Sequence, residues 1–139
     1  MPTTAPTRPT VSLVLPATPA APAAARRALV GGGLDPDLEH TVSLLVSELV
    51  TNAFTHARPL RGIAVQAFLN RDYARVEVRD TGQGFEPQAA GFRAGLGLRL
   101  VDKLTRTWGV ENGHYTCVWF EVDRRSGRFV RAEEPVATT

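Results

Sequence analysis

Lysine is almost missing from this chain. Of 16 basic residues in 139, fifteen are arginine and one is Lys103. A Walker-type loop needs a lysine directly after its glycines, and a eukaryotic-type protein kinase needs one on a strand to meet the phosphates. Lys103 stands in Val101-Asp102-Lys103-Leu104, which offers neither setting, so both designs are excluded. Cysteine is as scarce: Cys117 alone allows no internal disulfide and no thiolate metal cluster. His40, His56 and His114 lack metal-ligand spacing. Net charge is only +2, too little to argue for nucleic acid although the pI is about 9.2. No apolar run approaches the roughly 18 residues that span a bilayer. Met1–Thr10 carries proline and threonine where a signal peptide has a basic start and an apolar core. The expectation is a cytoplasmic protein with one compact domain, no membrane association and no direct nucleic-acid contact.

Six of the ten prolines fall in the first 22 residues, which predicts a flexible tail over 1–10. Val11–Leu15 reads as a short strand, and the alanine-rich run Ala20–Val30 as a helix that stops at Gly31-Gly32-Gly33. Asp35-Pro36-Asp37 is a helix start. From Asp37 to about Ala57, Leu38, Val42, Leu45, Val46, Leu49, Val50, Ala53 and Phe54 recur at amphipathic spacing. Gly62–Leu69 and Tyr73–Asp80 alternate about an Asn70-Arg71-Asp72 turn and predict two antiparallel strands. Residues 81–97 form a glycine-rich loop, followed by a helix marked by Leu98, Leu100, Val101 and Leu104. Trp108–Glu111, an Asn112-Gly113 turn and Tyr115–Val122 close the domain, and 123–139 reads as a second flexible tail. Hairpin-joined strands with about three helices imply an α/β two-layer sandwich, its mostly antiparallel mixed sheet covered on one face, over residues 11–122.

Three polar signals stand out from this pattern. Glu48 and Asn52 are spaced i, i+4 and differ by only about 40° around the helix axis, with His56 one turn further on. This line borders the apolar face, as a cleft requires, and it also describes an ordinary solvated helix face. Asp80 shares the apolar side of its strand with Ala74, Val76 and Val78, and a carboxylate there needs a donor such as a purine amine. Gly82 and Gly84 follow and admit a flat base close to the backbone, while Asp80-Thr81-Gly82 equally suits an Asx turn. Gly95-Leu96-Gly97-Leu98 opens a helix, where free N–H groups favour phosphate, and Arg93 lies two residues before it.

In this order, Glu48-x-x-x-Asn52, Asp80-x-Gly82-x-Gly84 and Gly95-x-Gly97 resemble the three ATP-binding boxes of the GHKL superfamily, across residues 11–122. Leu45–Ala53, Val76–Phe85 and Val118–Glu121 look most like the small stand-alone anti-sigma factor serine kinases. The resemblance implies the Bergerat ATP-binding fold. It implies that Asn52 holds the Mg²⁺ of Mg-ATP and that Asp80 accepts the adenine amino hydrogen bond. Gly82 and Gly84 would line the base and ribose, and Gly95, Leu96, Gly97 and Leu98 would meet phosphate, with Arg93, His56 and Thr116 at the nucleotide. Glu48 takes the general-base position, where histidine kinases usually carry asparagine, which favours a hydroxyl acceptor over histidine. Two positions depart from the family: Thr55 replaces a basic residue that many relatives carry, and Tyr115-Thr116-Cys117 keeps the threonine of the last box without its glycine. The implied activity is phosphorylation of a serine on an anti-sigma factor antagonist, with a sigma factor as the second partner and a homodimer as a common assembly. The alternative is a nucleotide-dependent binding module without transfer.

Overall fold

The computed structural model describes residues 8–57, 62–80, 96–112 and 116–124, without the side chains of 56, 57, 96–99 and 112. Strand β1 (Val11–Leu15) leads to helix α1 (Ala21–Gly31), helix α2 (Glu39–Asn52) and the hairpin β2 (Ile63–Asn70) and β3 (Tyr73–Asp80). Helix α3 (Leu96–Leu104), β4 (Thr107–Asn112) and β5 (Thr116–Asp123) complete the described elements. The sheet runs β1-β2-β3-β5-β4, and every described pairing is antiparallel. The expected two-layer α/β sandwich is what forms.

The core follows from two periodicities meeting. Period-two burial points Ile63, Val65, Ala67 and Leu69, then Val76 and Val78, then Val118, Phe120 and Val122 to one side of the sheet. In register, Val65 faces Val78, Val78 faces Val118, and Val76 faces Phe120. Helical period 3.6 brings Ala25 and Leu29 of α1, Val42, Leu45, Val46 and Leu49 of α2, and Val101 and Leu104 of α3 down onto that side.

Three boundaries differ from the sequence reading. The chain first makes a single 3₁₀ turn, Pro36–Leu38, before α2 begins at Glu39. At its far end α2 stops at Asn52 and continues as a π turn, Ala53–Ala57. Helix α3 begins at Leu96, two positions before the first residue of the apolar spacing that marked it.

Long side chains cover the second face of the sheet. Arg75 pairs with Glu77 at 2.9 Å and Glu121 at 3.3 Å, and Arg79 pairs with Glu77 at 3.2 Å. The Arg75 guanidinium lies 4.2 Å over the Trp119 ring. On its other side the indole rests against Gly109, where a Cβ would come within 2.7 Å of the ring. The buried Tyr73 hydroxyl donates to Glu121 Oε2 at 2.8 Å, and burial, with that bond second, raises its pKa. Burial likewise pushes the Cys117 thiol up, so this cysteine is an inert packing residue.

A polar node ties the helix layer to the hairpin. Asp35 accepts from the Asp37 N–H through Oδ1 and from the Asp72 N–H through Oδ2, both at 2.9 Å. Asp72 holds a left-handed turn conformation, φ 69°, which Asp tolerates better than most residues. Arg124, just past β5, reaches Asp37 at 2.7 Å, Asp72 at 2.8 Å and Asp35 at 3.2 Å. At the other terminus, Thr10 donates its N–H to the Ala67 carbonyl at 2.7 Å. Thr10 and Arg124, expected from composition to belong to tails, are both attached to the fold.

The Asp37 N–H, then the Asp72 N–H, hold the Asp35 carboxyl below its ordinary value of 3.8. A depressed carboxyl contributes stability that is present above the unfolded pKa and lost as pH falls through the folded one. Asp35→Asn therefore destabilises the protein at neutral pH, and the gap from the unsubstituted chain closes as pH falls below 3.8. Urea unfolding across that range measures it; a gap independent of pH contradicts the assignment.

Candidate functional site

The α2 periodicity that buries Leu45 and Leu49 leaves Glu48 and Asn52 half-buried along one border of the helix. Asn52 is the last α-helical residue, and it lines a small pocket between α2 and the end of the sheet. Leu49, Ala53, Val78 and Val118 supply its apolar walls. Asp80 and Thr116, only 2% and 1% exposed, supply its polar end and sit directly opposite each other across β3 and β5.

The pocket's chemistry is specific. Apolar walls suit an aromatic ring, and a single carboxylate held among valines selects a ligand edge that donates. Asp80 and Thr116 both carry interactions within the protein, so this polar end is held in place before any ligand arrives. Asn52 differs: its Nδ2 is buried with no hydrogen-bond partner among the described residues. A buried donor left unmatched is costly and calls for an acceptor beyond the described residues, as a bound ligand supplies. The amide's oxygen is a hard donor suited to Mg²⁺, which takes one or two protein oxygens and fills its remaining positions with phosphate and water. The residues present therefore fit a magnesium-bound nucleotide.

The structure brings together Asn52, Asp80 and Thr116, with Glu48 one helical turn before Asn52 and outside the pocket lining. The chain passes from Asn52 into the π turn Ala53–Ala57, which contains His56, and the His56 side chain lies outside the described residues. Leu96, Gly97 and Leu98 form the first turn of α3, whose N–H groups have no intrahelical acceptor. Gly82, Gly84, Arg93 and Gly95 lie outside the described residues. The pocket walls were not singled out from the sequence. Their signal was present, because Val78 precedes Asp80 by one pleat repeat and Leu49 and Ala53 flank Asn52.

One helical layer on an antiparallel sheet, with a pocket lined by Asn52, Asp80 and Thr116 between α2 and the Asp80 end of β3, defines an ATP-binding domain of the GHKL type. The chain belongs to the histidine kinase-like ATPase domain family, which matches residues 15–122. No curated protein matches it. Among solved structures it is similar to the RsbU and RsbW domains of Rv1364c from Mycobacterium tuberculosis, with 26% identity and a TM-score of 0.61. That match covers 85% of this chain and 33% of the other. Among the described residues no helix is long and apolar enough to cross a membrane.

Proposed function

We infer that this protein is a cytoplasmic serine/threonine kinase that uses Mg-ATP to phosphorylate a serine on an anti-sigma factor antagonist, and that it regulates a sigma factor by exchanging partners, as a homodimer. The observation that carries the reading is Glu48, half-buried and one helical turn before Asn52, which lines the pocket. The likeness to the RsbU and RsbW domains of Rv1364c supports it.

Asp80 accepts the adenine amine inside the pocket, with Thr116 beside it. The first turn of α3 offers N–H groups to phosphate. Asn52 Oδ1 would hold Mg²⁺, which when bound neutralises phosphate charge. Glu48 accepts the proton of the incoming hydroxyl as its oxygen attacks the terminal phosphorus, and ADP leaves. Thr55, in place of a basic residue, favours the second reading, a nucleotide-dependent binding module without transfer. Incubation with γ-labelled ATP and a purified antagonist decides between them. The kinase reading expects acid-stable label on serine; nucleotide-dependent complex formation without label supports the module.

A further inference from the structure

Three large apolar side chains are exposed among the described residues, and two of them, Val30 at 43% and Leu44 at 36%, belong to neighbouring helices on the solvent side. Their proximity follows from the way α1 and α2 pack. The short connection folds the helices antiparallel, and Arg26 of α1 donates to Ser47 Oγ of α2 at 2.8 Å, which fixes their register. One turn toward the connection from that bond, Val30 on α1 comes alongside Ser43, and Leu44 is the next residue on the exposed side of α2. Leu44 is also one turn before the half-buried Glu48 on the same helix ridge. Two exposed apolar side chains, Val30 on α1 and Leu44 on α2, thus lie on the outer side of the helix pair, Leu44 one turn from the carboxylate that receives the acceptor's proton.

Its charge is one-sided on the α1 half. Residues Ala21–Gly31 contain Arg26 and Arg27 and no acidic residue. Arg27 is exposed and makes no ion pair among the described residues. The core fills the opposite side of α2, so a polypeptide that delivers a hydroxyl to Glu48 approaches from the outer side of the helix, where Leu44 is exposed one turn away.

We propose that Val30, Leu44 and Arg27 form the docking surface for the protein substrate, engaging apolar side chains flanked by carboxylates on the polypeptide that carries the acceptor serine. This rests on the kinase reading above and adds to it where, and by what chemistry, the substrate is gripped. Docking of this kind places the hydroxyl by contacts remote from the reacting atoms, so its loss appears in KM for the whole protein.

The test uses Leu44→Asp and Val30→Asp, whose exposed positions leave the core intact, with circular dichroism and thermal melts as folding controls. Each variant is assayed with γ-labelled ATP on the unphosphorylated antagonist protein and on a short peptide carrying the same serine. The expected result is a KM for the protein raised roughly tenfold or more. KM for the peptide and affinity for Mg-ATP stay unchanged, and Leu44→Met restores the protein's KM. An unchanged protein KM overturns the docking surface and leaves the kinase reading standing. Absence of transfer to either acceptor by the unsubstituted chain removes both.

Discussion

Glu48→Gln is expected to lower phosphoryl transfer by roughly 10²–10⁴-fold while Mg-ATP affinity changes little. The substitution keeps the side chain's length and its half-buried place on α2, so no core contact is lost. It removes the negative charge and replaces one oxygen by a donor, so the side chain no longer has a basic oxygen to accept the hydroxyl's proton. Asn52 and Asp80, which serve nucleotide in this account, are untouched. Single-turnover transfer from γ-labelled ATP, with calorimetric titration of nucleotide alongside, separates the two effects. Equal transfer rates would show that Glu48 is not the base. A parallel loss of nucleotide affinity would place it in binding instead.

The second large effect falls on binding. Asp80→Asn should weaken Mg-ATP binding by about a hundredfold, the loss of a charge-assisted hydrogen bond in a water-poor pocket. At 2% exposure the carboxylate cannot be replaced by solvent, and an amide there presents either a donor to a donating amine or a weaker, neutral acceptor. The register Asp80 opposite Thr116, and Ile63 opposite Asp80, is a backbone feature that the isosteric change preserves. A thermal melt close to that of the unsubstituted chain, together with lost nucleotide binding, assigns the effect to recognition. Retained affinity would mean that the base lies elsewhere.

Much of this architecture was legible because it is periodic. The alternation through Ile63–Leu69 and Tyr73–Asp80 places β2 and β3 and decides which face each residue takes, and this puts Asp80 on the inner side before any coordinates are known. The spacing from Leu38 to Phe54 similarly sets α2 and lines up Glu48 with Asn52. Two features escaped, for different reasons. The π turn at Ala53–Ala57 contains no glycine or proline to announce it, and five residues of good helical spacing look the same whether the ladder bonds run i→i+4 or i→i+5. The node of Asp35, Asp72 and Arg124 joins residues up to 89 positions apart, and nothing local to Arg124 distinguishes it from the other arginines. Gly109 belongs to the same class, since the flat indole of Trp119 that demands it arrives from a neighbouring strand. The site was readable to the extent that its residues keep helix or strand spacing, which covers Glu48, Asn52 and Asp80. The apolar wall from Val118 needed the register between β3 and β5, which sets it opposite Val78.

The central claim is that the pocket between α2 and the Asp80 end of β3 reads adenine. Calorimetric titration of the whole chain with Mg-ATP and, separately, Mg-GTP tests it most directly. The account predicts one saturable site per chain for Mg-ATP and binding of Mg-GTP about a hundredfold weaker or worse, because guanine turns a carbonyl oxygen toward a carboxylate that needs a donor. No saturable heat with Mg-ATP, or equal affinity for the two nucleotides, would contradict it.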